Sequence, residues 1–183
     1  MDATTIAGYQ AGTWTIDPAH SEVGFWIRHL MVSKVRGAFR RFSGEVVTGA
    51  DPTGSTVRAE IELASIDTGN TDRDKHLRSG DFLGTDEHPT MTFVSTSVRP
   101  SGDRFVLAGD LSLRGVTRPV ELDLELGGFG PDAYGGTRAG FSAVGTIKRS
   151  EFGVAFNAVL ETGGVMLSDE VTIQLEIQLV LAR

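Results

Sequence analysis

The sequence predicts an all-β domain in which antiparallel strands bury one face and expose the other. Apolar and polar residues alternate with a period of two, most clearly in VELDLELG from Val120 and in VTIQLEIQLVL from Val171. Turn signals such as GADPTGS, RPSGDR and RGVTRP separate the alternating runs. No helical pattern alternates regularly with the strands, so a parallel sheet is disfavoured.

About eight or nine strands follow from this alternation. They are expected near Thr13–Asp17, Val23–His29, Phe39–Val47, Val57–Leu63, Met91–Val98, Phe105–Gly115, Val120–Gly127, Ala139–Arg149 and Val171–Leu181. Each has one apolar and one polar face, which is typical of an antiparallel sheet with a single buried side.

The alternation changes phase between Phe39 and Phe42. A strand of period two cannot keep both side chains on one face without an extra residue, so we predict a β-bulge or sharp bend near Arg40–Arg41. Long bent strands suit a closed barrel or a strongly curved sandwich.

Two segments lack the strand alternation and are predicted to be helical. In NTDRDKHLRSGDFL, Asn70 or Thr71 is the expected N-cap, Asp74 would complete a capping box with Thr71, and Gly80 would end the helix. The segment KRSEFGV is expected to form a single turn capped by Ser150.

The composition excludes several classes of protein. The 183 residues fit one domain, and a hydrophobic content of 40% is typical of a globular chain. The absence of cysteine excludes disulfides, thiolate chemistry and cysteine-based zinc sites. The net charge of −7 disfavours a nucleic-acid partner, because such binding relies on a cationic surface.

The N-terminal stretch MDATTIAGYQAGTW has neither the cations nor the apolar run of a signal peptide. No stretch approaches the ~20 apolar residues of a membrane-spanning helix. We therefore expect a soluble, cytoplasmic protein without a membrane span.

The residues that could carry chemistry form no known catalytic or metal-binding motif. The four histidines are scattered, at His20, His29, His76 and His88. Without cysteine, a zinc site would need ligands from distant loops, so no metal site is predicted. There is no Gly-x-Ser-x-Gly elbow and no phosphate-binding glycine loop, so no catalytic residue is predicted either.

His29 has the parity of Phe25 and Ile27, so its side chain is expected on the apolar face near the end of its strand. Two interpretations stay open. His29 is either an interior histidine bonded to a backbone carbonyl, or a polar contact at the mouth of a pocket.

Four cations, Lys34, Arg36, Arg40 and Arg41, cluster in an otherwise acidic chain. A solvated outer face is the simpler interpretation. The alternative is a contact with an anionic headgroup at a pocket entrance, for which Arg36 is the best candidate.

Most of the ten phenylalanines fall on or near apolar faces. They fill a core in the simplest interpretation. A barrel of about eight strands is also wide enough to hold one slender ligand. A hydrocarbon gains ~0.8 kcal/mol per buried CH₂, so it needs little polar recognition.

Several ordered motifs together resemble those of the YceI-like family of lipocalin-like polyisoprenoid-binding proteins. They are TIDPAHSEVGFWIRHL, VRGAFRRFSGEV, DRDKHLRSGDFLGTDEHPTMTFVSTSV, GDLSLRGVTRPVEL, IKRSEFGV and LSDEVTIQLEIQL. The resemblance begins near Gly12, so residues 1–11 are interpreted as an N-terminal extension and residues 12–183 as the domain. Many family members carry a secretion signal, and this sequence shows none.

The resemblance implies an elongated antiparallel lipocalin-like β-barrel of about eight strands, with one or two short helices in a lid loop. It also implies an apolar tunnel for an isoprenoid quinone, polyprenyl chain or similar lipid, with no catalytic activity and no cofactor. Family members are often dimers, so a homodimer is an alternative to a monomer.

Strand parity and the resemblance together predict the ligand-binding residues. They are Phe25, Ile27, His29, Arg36, Phe39, Phe42, Phe82, Phe93, Leu111, Leu113 and Phe141. The motif residues His20, Arg73, Asp74 and His76 are expected to be mainly architectural, with Asp74 tying the lid loop to the barrel.

Two other functions stay open at this point. The barrel could be an enzyme, such as a cyclase or isomerase of an apolar substrate, with His29 and a nearby carboxylate as acid and base. It could also be a solidly packed interaction module.

Overall fold

The computed structural model describes residues 6–159, 161 and 164–182. Within these ranges the chain forms eleven β-strands and one α-helix. The strands are β1 (Gly12–Ile16), β2 (Glu22–His29), β3 (Ser33–Phe39), β4 (Phe42–Thr48), β5 (Thr56–Glu62), β6 (Ile66–Asp67), β7 (Thr90–Ser101), β8 (Arg104–Leu113), β9 (Val116–Pro131), β10 (Thr137–Lys148) and β11 (Leu167–Leu181). Helix α1 (Thr71–Arg78) lies between β6 and β7. No helix in these ranges is long and apolar enough to cross a membrane.

Eight strands form a closed antiparallel barrel in the order β1, β4, β5, β7, β8, β9, β10 and β11. The pairing of β1 with the C-terminal end of β11 closes the ring. Strand β2 pairs with the N-terminal half of β11, and β3 and β6 continue the sheet from there. The predicted all-β barrel is therefore confirmed.

Three of the long strands are interrupted, which explains why eleven segments build an eight-stranded ring. A 3-10 turn at Pro18–His20 separates β1 from β2, and another at Leu63–Ser65 separates β5 from β6. Strands β3 and β4 are separated by Arg40–Arg41. Strands β1 and β2 pair with successive parts of β11, and β3 and β4 pair with β2 and β1. On their other side β3 and β4 pair with β6 and β5, so each interrupted strand behaves as one long bent strand.

The break at Arg40–Arg41 lies where the sequence predicts a bend. The backbone N–H of Arg40 donates to the carbonyl of Ser65 at 3.1 Å, and that of Arg41 donates to the Ser65 hydroxyl at 3.0 Å. Ser65 thus satisfies the two donors that the interrupted ladder leaves free. As a result Phe39 and Phe42 both face the barrel interior.

A small second core closes the barrel end near β1. Trp14 is fully buried with Ala139 and Leu179, and Phe129 packs against it edge to face at 5.6 Å between ring centroids. The indole N–H donates to the Thr48 hydroxyl at 2.9 Å, so the one polar atom of this side chain is satisfied.

The residues before β1 also pack on the barrel. Ile6 contacts the main core, and the hydroxyl of Tyr9 donates to the carbonyl of Gly49 at 2.8 Å. The boundary between an extension and a domain at residue 12 stays a prediction.

Helix α1 begins as predicted, but its predicted capping box is wrong. Asn70 is the N-cap and accepts from the Arg73 N–H at 2.9 Å. Asp74 forms no capping box, because its carboxylate turns inward to Thr68. The helix ends at Arg78 with Ser79 as its C-cap, directly before Gly80.

The second short helical segment is a 3-10 turn at Arg149–Phe152, where a single turn is predicted. Its N-cap position is Lys148, which makes no side-chain cap. The predicted cap, Ser150, instead donates its hydroxyl to Asp169 at 2.7 Å. This bond ties the turn to the start of β11.

Candidate functional site

The barrel encloses a cavity of about 510 Å³ that is lined almost entirely by apolar side chains. Its volume lies within the range of pockets that hold small ligands, roughly 300–1,000 Å³. An interior of this size argues against the interpretation as a solidly packed interaction module.

Ten of the eleven predicted ligand-binding residues line this cavity. They are Phe25, Ile27, His29, Phe39, Phe42, Phe82, Phe93, Leu111, Leu113 and Phe141. Whether they contact a ligand stays a prediction.

Arg36 lies elsewhere. It is exposed and pairs across the sheet with Trp26, on the outer face of the β2–β3 hairpin. It is not among the residues that line the cavity. The structure thus gives Arg36 no position from which to meet a headgroup inside the barrel.

The cavity wall includes many apolar residues that the prediction did not name. Strand β9 contributes Val120, Leu122 and Leu124, and β11 contributes Ile173 and Leu175. All five lie on the apolar face that the alternation of these strands defines. The parity of these residues in the sequence was therefore enough to predict that they line the cavity.

Four nitrogen-bearing side chains interrupt the apolar lining: His29, Arg73, His76 and Arg149. No Asp or Glu lines the cavity within the described part of the chain. In a protein of net charge −7, the interior thus offers hydrogen-bond donors and positive charge without a carboxylate.

Arg149 is the buried cation of this site, with 7% of its surface exposed. Its Nε donates to the carbonyl of Ser168 at 2.9 Å, and one terminal nitrogen donates to the carbonyls of Val154 and Phe156, both at 2.8 Å. Among the described residues the other terminal nitrogen has no hydrogen-bond acceptor. Arg149 is among the residues that line the cavity.

Burial lowers the pKa of Arg149 from its ordinary value, and nearby Asp169 opposes this shift. Among the described residues Arg149 forms no ion pair. The guanidinium is charged in proteins, so its burial is offset by the three backbone carbonyls and by the attraction of Asp169.

A hydrogen-bonded lid covers the open side of the barrel between β6 and β7. Asp74 accepts from the N–H of Thr68 at 3.0 Å and from its hydroxyl at 2.6 Å. Arg73 donates to the same hydroxyl at 2.7 Å and to the Thr68 carbonyl at 2.8 Å. Arg78 donates to two backbone carbonyls around the turn that follows β5, at 2.8 and 2.9 Å. These bonds fix helix α1 against β6.

Three rings join the lid to the segment after β10. His76, Phe82 and Phe156 lie with their centroids 5.0 to 5.1 Å apart. The Nε2 atom of His76 is 2.8 Å from a carboxylate oxygen of Asp81. All three rings line the cavity, so the cluster forms part of the wall at this end.

His20 lies outside the cavity, in the turn between β1 and β2. Its Nδ1 is 2.8 Å from Asp17, which also binds Arg138. The Arg138 guanidinium and then His20 lower the pKa of Asp17 to about 2. Within the described ranges no three His, Asp or Glu side chains are placed to hold a metal ion.

Comparison with known proteins relates the whole barrel to one family. The family model of the YceI-like domain matches residues 14–179. Protein YceI of Escherichia coli O6:H1 is 46% identical over 136 residues, which are 74% of this chain and 71% of that protein. A UPF0312 protein of Staphylococcus aureus strain USA300 is 44% identical over 161 residues, which are 86% of this chain and 91% of that protein.

Solved structures show the same fold. BcnA of Burkholderia cenocepacia superposes with a TM-score of 0.78 at 25% identity, covering 89% of this chain and 98% of that one. The YCEI protein of Campylobacter jejuni superposes with a TM-score of 0.73 at 32% identity. The superposition covers 91% of this chain and 96% of that one. A polyisoprenoid binding domain from Saccharophagus degradans superposes with a TM-score of 0.68 at 15% identity. The superposition covers 94% of this chain and 100% of that one. The chain belongs to the YceI-like domain family.

Proposed function

We propose that this protein binds a long-chain isoprenoid lipid, either a polyprenyl chain or an isoprenoid quinone, inside the barrel without reacting with it. The observation that carries the proposal is the apolar cavity of about 510 Å³. Such a protein would store the lipid or transport it between membranes or enzymes.

The energetics of the cavity favour a hydrocarbon. Each buried CH₂ contributes ~0.8 kcal/mol, so a few isoprene units supply enough free energy for tight binding. Phenylalanine rings on several strands, including Phe25, Phe39 and Phe93, give the chain a continuous apolar wall. The domain from Saccharophagus degradans, a polyisoprenoid binding domain, shares this fold, and at 15% identity that likeness concerns the fold alone.

The polar group of the lipid is expected at the end where His29 and Arg149 lie. Leu167 pairs with His29 across the β2–β11 ladder, and the next residue, Ser168, accepts from Arg149. The two side chains therefore flank the same short stretch of β11. A terminal nitrogen of Arg149 is a donor, so it suits an oxygen acceptor such as a quinone carbonyl.

Binding is favoured over catalysis because the alternative lacks its acid–base pair. A cyclase or isomerase acting through His29 needs a carboxylate beside the substrate. No Asp or Glu of the described chain lines the cavity with His29. If the protein only binds, His29→Ala leaves the chemical identity of the extracted lipid unchanged. Conversion of a bound lipid by the wild type that His29→Ala abolishes would overturn the proposal.

The direct test is native mass spectrometry of the protein purified from its own host, followed by lipid extraction. The expected result is one bound isoprenoid lipid per chain. In parallel, delipidated protein is incubated with a polyprenol, an isoprenoid quinone and a fatty acid. Protein that stays lipid-free from the host and with all three probes would contradict the proposal.

The headgroup position is tested with matched ligands. An isoprenoid quinone and an isoprenoid hydrocarbon of the same chain length compete for wild-type protein and for Arg149→Met. The preference for the quinone is expected to fall roughly tenfold in the variant, which corresponds to one hydrogen bond to a charged donor. A preference that stays unchanged in a folded variant would place the headgroup elsewhere.

Three finer features stay predictions. The transport role requires transfer of lipid from loaded protein to acceptor vesicles, which a fluorescent quinone analogue would report. Cell fractionation of the host tests the cytoplasmic location. Light scattering of the purified chain tests the homodimer.

A further inference from the structure

The loop between β2 and β3 presents three consecutive apolar side chains to solvent: Leu30, Met31 and Val32. Met31 is 63% exposed and Val32 is 84% exposed. Leu30 and Met31 have positive φ angles of 52° and 58°, a conformation that residues with side chains rarely adopt. A turn built for stability would use glycine or asparagine there. The side chains at this loop are therefore candidates for a contact outside the chain.

A second exposed apolar segment adjoins this loop. Val159, which is 84% exposed, forms a β-bridge with Val165, which is also exposed. The N–H of Leu30 donates to the carbonyl of Met166 at 2.8 Å, so the two segments are held together. We define the apolar tip as five residues, namely Leu30, Met31, Val32, Val159 and Val165.

The hairpin that carries the tip is basic although the chain is acidic. Residues 23–44 contain no Asp or Glu. The cations within this range are Arg28, Lys34, Arg36, Arg40 and Arg41. A cationic surface around an apolar patch is complementary to a layer of anionic headgroups above hydrocarbon.

Only the cations closest to the tip are free for such a contact. Arg40 pairs with Asp67 and Arg41 pairs with Glu62, so these two are neutralised within the protein. No ion pair among the described residues involves Arg28, Lys34 or Arg36. These three cations thus lie next to the apolar tip, with the exposed Asp169 and Glu170 on the adjoining start of β11.

The outer face of the hairpin also carries a tryptophan. Trp26 pairs with Arg36 across the hairpin, and Nζ of Lys34 lies 3.8 Å from the centre of its ring. Tryptophan beside lysine and arginine is the combination that proteins place at headgroup level in a membrane interface. The exposed Glu161, between Val159 and Val165 in the sequence, would lie among the headgroups.

The apolar tip is continuous with the cavity wall. On one side of the tip, His29 lines the cavity, and on the other side Met166 and Leu167 do so. A hydrocarbon chain that left the barrel between these residues would therefore meet the apolar tip.

We propose that the apolar tip docks this protein onto the surface of a lipid bilayer that contains anionic lipids, with the cavity end facing the membrane. Leu30, Met31 and Val32 enter the acyl boundary, while Arg28, Lys34 and Arg36 contact the headgroups. The docked orientation gives an isoprenoid lipid a path between bilayer and cavity, and this role rests on the proposed function. A protein partner is the alternative occupant that the test below separates.

The test is co-sedimentation of the full chain with vesicles of phosphatidylcholine, with and without phosphatidylglycerol. Met31→Ser combined with Val32→Ser is expected to lower the partition coefficient roughly tenfold to a hundredfold, because two apolar side chains lose their burial. The matched control is Val94→Ser with Val144→Ser, since both valines are exposed on other strands of the barrel. The control is expected to bind vesicles like the wild type.

A second pair of substitutions separates charge from apolar insertion. Lys34→Gln with Arg36→Gln should reduce binding to the anionic vesicles about tenfold and leave binding to neutral vesicles unchanged. Addition of salt should have the same effect as the substitutions.

Lipid loading in detergent, measured by native mass spectrometry, distinguishes this proposal from the proposed function. The tip variant is expected to load normally in detergent and slowly from vesicles. Wild-type protein that loads lipid but does not sediment with anionic vesicles would overturn the docking proposal and leave the proposed function intact. Equal sedimentation of tip variant and wild type would also overturn it, and would favour a protein as the occupant of the tip.

Discussion

Asp74 and Thr68 are joined by two hydrogen bonds that hold the lid against the barrel, from the Thr68 N–H at 3.0 Å and from its hydroxyl at 2.6 Å. Asp74 is buried in helix α1, and Thr68 directly follows β6. The hydroxyl oxygen and the backbone carbonyl of Thr68 accept hydrogen bonds from Arg73. Thr68 is thus one attachment point of the lid, beside the bonds from Arg78 to the carbonyls of Ala64 and Ile66.

Asp74→Ala is expected to lower the free energy of unfolding by about 1–3 kcal/mol, because the partly buried N–H and hydroxyl of Thr68 lose their acceptor. Urea denaturation measures the change. Asp72→Ala in the same helical turn is the control, since Asp72 is exposed and contributes only about 0.3–1 kcal/mol through the helix dipole. Equal losses in the two variants would show that the Thr68 contact contributes nothing beyond a surface charge.

The carboxylate of Asp17 makes the free energy of unfolding of the barrel depend on pH in the acidic range. Arg138, and then His20, lower its pKa from 3.8 to about 2. A carboxyl group whose pKa is lowered on folding stabilises the protein above its unfolded pKa, and loses this contribution as the pH falls through the folded value. Asp17→Asn should therefore cost about 1–2 kcal/mol near neutral pH. The difference from wild type should shrink as the pH falls toward 2 and vanish only below that value. Urea denaturation across this window measures it, and a difference independent of pH would contradict the assignment.

Gly109 leaves the space that the ring of Phe93 occupies. A Cβ atom at this position would lie 2.4 Å from Phe93 Cζ and 2.6 Å from the carbonyl oxygen of Val94. Gly109→Ala is expected to destabilise the barrel by about 1–3 kcal/mol, because ring and backbone must both shift. Gly140→Ala in β10 is the control, since no atom lies within 4 Å of its Cβ position. Thermal unfolding compares the two, and equal melting temperatures would contradict the close approach.

Strand parity predicted the cavity wall because a barrel strand has only two faces. In β2 the odd-numbered residues Phe25, Ile27 and His29 face the cavity, as the alternation requires. The same rule argues against Arg36, because Val35 and Phe39 are the inward residues of β3 and Arg36 has the opposite parity. Arg36 was predicted as a ligand-binding residue because of its charge, but its strand parity correctly indicates that it faces away from the cavity.

Arg149 is the opposite case, because it lines the cavity but was not predicted as a ligand-binding residue. It shares the parity of Phe141, Ala143 and Ile147, all of which line the cavity, so the alternation of β10 already pointed it inward. The sequence alternation does not reveal which backbone carbonyls accept hydrogen bonds from Arg149, so it does not identify this arginine as part of a site. The carbonyls of Val154 and Phe156 come from an irregular segment, whose path no periodicity encodes.

The lid illustrates a third limit. The sequence correctly predicted a short helix in this segment, because the N-cap is a local interaction between Asn70 and Arg73. The orientation of Asp74 depends on Thr68, whose position is set by the end of β6. A local capping box and a contact with the barrel compete for one carboxylate, and only the folded structure decides between them.

Ala143 offers a test of whether the lipid chain occupies the middle of the barrel. It is buried, lines the cavity, and lies between Leu124 of β9 and Leu175 of β11. Ala143→Phe would project a phenyl ring into the cavity. The longest bound chains should therefore be replaced by shorter ones, and affinity for the native lipid should fall roughly tenfold or more because several CH₂ groups lose their burial.

The matched control is Ala108→Phe, which adds the same ring to the outer face of β8, outside the cavity lining. Mass spectrometry of extracted lipids gives the chain-length distribution for both variants, and circular dichroism verifies that both are folded. The control should retain the wild-type distribution. If Ala143→Phe retained it as well, the lipid would lie outside the middle of the barrel, and the cavity would not be the feature that selects chain length.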